Sequence, residues 1–504
     1  MFTAKTLFAS ITLAVLSSTV LYGLQKLLSR LQIHILKTEC TQSTVEETPL
    51  ARSFWYIGTL DFFLNPFMFL ASSITQAKGR MFSFRVLSDT VIMLRGIPGR
   101  DAFFSKGLDF MSGYRLLNPQ LVDIMPIEEV KCGENGANFM ATLIRTEVLE
   151  EIYLDMLSDV SRRIDGWGDE GTIDPFLNVY EIVFALSVRL STCHEFIEDP
   201  AKVNKLMSIF ERLEAGSTPT GLILPWLPTP ARVGRTIAGA QLYTMISKVV
   251  RNRQQHDIRR EDPLQALIDK KFPMADITRF TATTLFAAVT NTGNALCWVL
   301  IYLEVHKEWK SRVVSEIQSF VQDAGAEFTD SMEEAIGNVS LQVMDEKTPT
   351  LDLVINETIR LLFDGTFMRR NIGNDIFVGA HRIEHGAYLM FPTADLHFNE
   401  DLFPNSREFD PLRFTPEEVD KRNVKGINFL GWGAGRHICV GKRAAMLMMK
   451  LILIMLVSKL ETRLVSERGE SITAIPEAKL DRLFKVCQTK DKIYLDFYKR
   501  GMRF

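Results

Sequence analysis

The sequence predicts a mainly α-helical chain with small β-sheets, an α+β class, and three observations support this. Long apolar stretches with few or no charges recur at 280–303, 351–363 and 444–460, the pattern of helices buried in a large core. Extended segments are short: 80–87 and 91–94 read as two strands joined by a turn at Ser88 and Asp89. The 504 residues are 46% hydrophobic and 24% charged, and no internal repeat or low-complexity tract divides them. They suit one large enzyme domain rather than a string of modules.

Taken in order, 6–24 is an uncharged run of about the length needed to cross a bilayer. A secretory signal is the competing reading, because the run contains Ala and Ser and follows Lys5. Lys26, Arg30 and Lys37 follow the run and outnumber the positive charge before it, which favours an uncleaved anchor with the body on the cytosolic side. The organisation expected is an anchor at 1–30, a polar linker at 31–52 and a catalytic domain at 53–504. Residues 135–165 and 175–213 read as largely helical. Leu222 to Pro228, with Trp226 inside, is apolar, broken by proline and too short to span; it is either an interfacial contact or a packed loop. Lys450 interrupts the apolar run at 444–460, so that run reads as a buried helix and not as a second span.

Net charge is -3, and basic runs interleaved with aromatics are lacking, so nucleic acid is not an expected partner. The six cysteines are scattered without a paired framework, which suits reduced, cytosol-facing thiols. Asn338-Val339-Ser340 and Asn356-Glu357-Thr358 match glycosylation sequons that a cytosolic body would leave unused.

The chemistry concentrates in Trp432-Gly433-Ala434-Gly435-Arg436-His437-Ile438-Cys439-Val440-Gly441. One cysteine sits in a glycine-rich loop just before a long helix, where the helix N-terminus, Arg436 and His437 favour negative charge on sulfur. A second Cys or His ligand at finger-like spacing is lacking nearby, which disfavours zinc. A single axial thiolate to haem iron fits better, since a porphyrin supplies the remaining ligands.

That loop resembles the haem-binding loop of the cytochrome P450 family, with Trp432 where Phe is usual. Three further segments match in the right order. Glu357-Thr358-Ile359-Arg360 places an acid and a guanidinium on one helix face, and Phe409-Asp410-Pro411-Leu412-Arg413-Phe414 resembles the family's Pro-x-Arg-Phe segment. The resemblance makes Glu357, Arg360 and Arg413 a structural cluster; taken alone, the first pair would read as a solvated surface bridge. The third segment is 285–293, with Ala288 and Thr292 on one face and Asn291 beside them. The family's usual Ala-Gly-x-acid-Thr reads here with Val289 for the Gly and Asn291 for the acid. The bland reading of Thr292 and Asn291 is hydrogen bonding within a core helix. The Trp-x-x-x-Arg segment common in relatives is missing near 110–140.

The resemblance implies a P450 fold binding haem b (iron protoporphyrin IX). Cys439 would be the axial ligand to iron, with Gly435, Trp432 and Ala288 beside the cofactor. His437 would donate to a propionate or be a satisfied loop histidine, and Arg369 or Arg370 would reach a propionate. Thr292 would pass a proton during oxygen activation, next to an Asn291 that cannot ionise. It implies a monooxygenase of the endoplasmic reticulum membrane, single-pass and facing the cytosol. The implied co-reactants are O2 and electrons from an NADPH-cytochrome reductase, since a flavin or nicotinamide motif is lacking. The substrate would be an apolar small molecule such as a terpenoid, steroid-like compound or other specialised metabolite, in the manner of fungal relatives. The alternative is an isomerase or dehydratase acting on a peroxide without external electrons, which Asn291 favours.

The anchor reading predicts that protein extracted from its native membrane retains residues 6–24. Mass spectrometry of the amino-terminal peptide should find them, and a mature terminus near residue 25 would refute the reading.

Overall fold

Helices form where the apolar spacing is 3.6, and several begin at a proline, among them Pro66–Ala77, Pro200–Ala215, Pro230–His256 and Pro349–Leu362. The computed structural model describes residues 45–54, 57–117, 136–216, 218–325, 332–362, 365–424, 426–480 and 486–500, with Gln25. The anchor expected at 1–30 lies outside them apart from Gln25, as do Cys40 and Cys132. The described residues fall into two compact units. One is drawn from Met1–Ile124, Ser208–Thr244 and Thr366–Pro392, the other from Met125–Met207, Met245–Gly365 and Thr393–Phe504.

The first unit is organised by a seven-stranded sheet, in the order Ser53–Phe54, Gly58–Thr59, Phe82–Val86, Asp89–Met93, Tyr388–Pro392, Thr366–Asn371 and Leu108–Asp109. The pair Phe82–Val86 and Asp89–Met93 is the predicted hairpin, each strand shifted by a residue or two, with Phe84 opposite Val91. The turn falls at Leu87 and Ser88, where Leu87 adopts φ 55. Among the described strand pairs of this sheet, the contact of Asp89–Met93 with Tyr388–Pro392 is the parallel one, Met93 opposite Met390. Phe62, Phe69 and Phe84 pack edge-on and tilted, at centroid distances of 5.2 to 6.2 Å. Part of the expected linker joins this unit: Val45 is buried and Glu47 bridges Ser83.

The second unit is a helical body around one apolar core. Met274–Val305 runs through it, and Leu296, Cys297, Trp298, Val299 and Ile301 are almost wholly buried. It is the one helix among the described residues long and apolar enough to cross a membrane, but 78% of that stretch is buried inside the protein. It is therefore a core helix. Gly293 lets Tyr180 of Tyr180–Ser191 approach closely: a Cβ there would sit 2.6 Å from the Tyr180 ring. Pro349–Leu362 starts at a proline, and its first amides are capped from a neighbouring helix. Glu316 accepts from Thr350 N–H at 2.7 Å and Leu351 N–H at 3.2 Å.

Lys442–Lys459 buries nearly every apolar side chain, Leu451 to Met455 completely; each such burial contributes roughly 1.5–3 kcal/mol. Lys450 lies 1% exposed within it. Its ammonium donates to Asp345 at 3.0 Å and Asp352 at 2.9 Å, which removes the penalty of an unpaired buried charge. A three-stranded sheet, Leu460–Ser466, Ile493–Lys499 and Glu170–Ile173, closes this unit.

The Lys450 pairing separates packing from charge. Lys450→Ala leaves a void and should lose about 2–4 kcal/mol of unfolding free energy, whereas Lys450→Met fills the space and leaves two partly hydrated carboxylates. Urea denaturation should show the Met variant losing clearly less; equal losses would make the ion pair the larger contribution.

Candidate active site

The glycine-rich loop is a hairpin. Gly433–Ala434 pairs with His437–Ile438, and Cys439 N–H returns to Trp432 C=O at 2.7 Å. Gly433 has φ 70, and a Cβ there would lie 2.3 Å from the His437 carbonyl oxygen. Gly435, at φ 61, makes the turn. Gly431, just before the hairpin, fits a gap that a Cβ would close, 2.5 Å from Ile359 of Pro349–Leu362. Gly441 caps Lys442–Lys459 at an ordinary φ of -85.

Cys439 is exposed, unlike the free cysteines Cys193, Cys297 and Cys487, which are buried. It is nevertheless walled by enough protein that desolvation pushes its thiol above the usual range. The amides of Gly441 and Lys442 and the Lys442 ammonium pull the other way. The helix start acts on sulfur as the sequence suggests, with Lys442 rather than Arg436 as the nearby charge. Among the described residues, groups of His, Cys, Asp and Glu able to hold a metal together are lacking. A lone open thiol therefore fits a metal that arrives with its other ligands, as haem iron does. His437 is half-buried in the hairpin and Gly435 exposed.

Behind the loop lies the predicted cluster. Glu357 and Arg360 are wholly buried and bidentate, Nε to Oε2 at 2.6 Å and a terminal nitrogen to Oε1 at 2.7 Å. Arg360 also donates to the carbonyls of His397 and Ser406, each at 2.6 Å, and of Glu408 at 3.3 Å. Arg413 lies 3.5 Å from Glu357 and donates to the carbonyls of Pro404 and Asn405. Burial pushes the Glu357 carboxyl above its usual range, and the Arg360 bonds and charge, the Asp410 N–H and the Arg413 charge offset only part of that.

Two links tie this cluster to the hairpin, and neither is visible in the sequence. His397 meets Arg360 C=O through Nδ1 at 3.1 Å, and its Nε2 accepts from Leu430 N–H at 3.0 Å, so Nδ1 carries the proton. Trp432 donates its indole N–H to Asn356 Oδ1 at 2.8 Å, next to Glu357. The Asn356 amide also bonds Asp352 C=O, which commits that sequon to internal structure. The departure from Phe to Trp at 432 thus gains a specific partner.

On Met274–Val305, Ala287 and Asn291 are exposed and Ala288 is half-buried, while Thr292 and Val289 are buried. Val289 faces the core. Asn291 Oδ1 accepts from Val486 N–H at 3.1 Å. Arg369 belongs to the other unit. It is 2% exposed and lies over the rings of Phe103 and Phe110 at 5.1 and 5.0 Å. Among the described residues it has no ion-pair partner; burial lowers its pKa to about 10, and the charge of Asp109 acts the other way. Arg370, next along the strand, is half-buried and bonds Gly386 C=O. The Leu222 to Leu227 stretch is half-buried, between the two readings offered for it.

Comparison with known proteins agrees. A family model described as Cytochrome P450 matches residues 131–486. The cytochrome P450 monooxygenase dmxR5 of Cryptosporiopsis sp. (strain 8999) is 28% identical over 416 residues, covering 80% of this chain and 81% of that protein. The obtusifoliol 14-alpha demethylase of Sorghum bicolor is 23% identical over 412 residues, covering 78% and 80%. Retinoic acid bound cyanobacterial CYP120A1 superposes with a TM-score of 0.72 at 21% identity, covering 91% of this chain and all of that one; it shares the fold.

Two outcomes test this site. Iodoacetamide should label Cys439 of the cofactor-free protein slowly at neutral pH and faster only as pH rises through and beyond the ordinary thiol range, because the thiolate reacts; a midpoint below that range would contradict the enclosure described. Glu357→Ala should abolish haem uptake with thiolate ligation, read from the absorption spectrum of the reduced carbon monoxide form. A normal spectrum from that variant would overturn the structural role of the cluster.

Proposed function

The chain belongs to the cytochrome P450 family and is a haem b oxidoreductase of the monooxygenase type, and on that premise we propose that it oxidises an apolar small molecule of specialised metabolism. A terpenoid or steroid-like compound is the class favoured. The observation that carries the proposal is the exposed Cys439 thiol, held in a hairpin that is bonded to a wholly buried Glu–Arg cluster. Thiolate-bound haem supplies oxygen activation, because the electron-rich sulfur favours O–O cleavage. Around it the protein's own groups divide the work. Cys439 provides the sulfur, and the Gly441 and Lys442 amides hold its charge. Ala288 leaves room on the helix for a flat group, and the Thr292 hydroxyl passes a proton from water toward the reacting side. His437 offers a donor to a cofactor carboxylate.

Electrons come from an NADPH-cytochrome reductase and oxygen from O2. The address proposed is the endoplasmic reticulum membrane, with a single N-terminal span and a cytosolic catalytic body. Its support is the apolar run at 6–24 with the positive charges after it. A second reading, a peroxide isomerase needing no electrons, is favoured by one observation: the Asn291 carboxamide cannot ionise and already holds Val486.

Reconstitution with a NADPH-dependent reductase, on the precursor that accumulates when the gene is deleted, decides between them. Oxygen-18 from O2 should enter the product with stoichiometric NADPH use; turnover of a peroxide without reductase would select the isomerase. Thr292→Ala should lower product formed per NADPH, with a rate loss of roughly 10²-fold, and should release hydrogen peroxide. Unchanged coupling would remove Thr292 from the proton path.

A further inference from the structure

Three polar side chains of Met274–Val305, spaced by three and four residues, reach two consecutive residues far along the chain. Asn291 Oδ1 accepts from Val486 N–H at 3.1 Å, Asn294 Nδ2 donates to Val486 C=O at 2.8 Å, and Trp298 Nε1 donates to Cys487 C=O at 2.7 Å. Both backbone polar groups of Val486 are therefore satisfied by side chains of one helix. Val486 and Cys487 lie outside any strand, at 5% and 8% exposed. Irregular backbone at that depth needs such partners, because each unpaired amide or carbonyl is costly. Asn294 and Trp298 form the buried end of the row, at 4% and 1% exposed. Among the described residues Asn294 Oδ1 has no partner, and turning that amide over would set an oxygen against the Val486 carbonyl, so its orientation is fixed. The row ends at Asn291, on the exposed part of the helix that also carries Ala287 and half-buried Ala288.

We propose that Asn291 is a positioning residue: its carboxamide oxygen pins Val486, and the pinned Val486–Cys487 backbone is a fixed wall that selects which apolar shapes lie along the exposed face of the helix. This rests on the haem-thiolate reading above. It gives Asn291, which stands where relatives carry an acid, a task in shape selection. It leaves proton movement to Thr292 and water. An acid at 291 could accept the same N–H, but it would add a charge beside an apolar ligand, whereas the carboxamide accepts without one.

The test uses the full haem-loaded chain as wild type, Asn291→Ala and Asn291→Asp. Amide exchange at Val486 is read by mass spectrometry. Binding of imidazole and of the bulkier 4-phenylimidazole is read from the change in haem absorption when nitrogen ligates iron. Asn291→Ala should speed Val486 exchange by about tenfold, the loss of one hydrogen bond, and should change the ratio of the two affinities several-fold. Asn291→Asp, which still accepts from Val486, should keep both near wild type. Unchanged exchange or an unchanged affinity ratio in the Ala variant overturns the proposal, as does an Asp variant that behaves like Ala. Raised peroxide release with Val486 still protected also overturns it, by assigning Asn291 to oxygen chemistry. If the reduced carbon monoxide spectrum of the wild type lacks the thiolate signature, the haem-thiolate reading itself has failed, which is a separate result.

Discussion

Arg360 has five N–H groups, and all five are bonded inside the protein: two to the Glu357 carboxylate and three to the carbonyls of His397, Ser406 and Glu408. Its guanidinium also lies 5.0 Å over the Phe403 ring. A wholly buried cation is tolerable only when its charge is paired and its donors are filled, and here both conditions are met at once. The fork geometry matters as much as the charge, since an ammonium could not serve carboxylate and carbonyls in these directions. Arg413 grips the Pro404 and Asn405 carbonyls beside it, so the backbone around 397–410 is wrapped on two guanidiniums.

The thiolate loop inherits its position from this node. His397 passes the constraint from Arg360 C=O to Leu430 N–H, and Trp432 adds a second tether to Asn356. Cys439 itself stays exposed. On the proposed haem-thiolate reading its sulfur must stay open to a metal, so the residues before it are held instead. Gly433 and Gly435 then aim the loop by their positive φ.

Much of this was legible in the sequence, and the limits have physical causes. The three long apolar runs became Met274–Val305, Pro349–Leu362 and Lys442–Lys459, since burial and helical period leave little freedom. The ends moved by a few residues because caps decide them, and the cap on Pro349–Leu362 comes from Glu316 on a different helix. Cys439, Glu357, Arg360 and Arg413 could be singled out because their local motifs carry chemistry. His397, Asn294 and Trp298 could not. Each acts on backbone 33 to 192 residues away, and the sequence of a backbone acceptor carries no mark. Asn291 and Val289 stood out only as departures from a pattern. The structure separates them: Val289 is core packing, and Asn291 holds Val486.

The central claim is that the fork of Arg360, and not merely its charge, sets the thiolate loop. Arg360→Lys keeps a cation beside Glu357 but leaves carbonyls of His397, Ser406 and Glu408 without donors. The direct measurement is the fraction of thiolate-ligated haem in that variant, read from the reduced carbon monoxide spectrum against total haem. A large loss of the thiolate form in soluble protein is the result predicted. A variant with the full wild-type fraction would contradict the account.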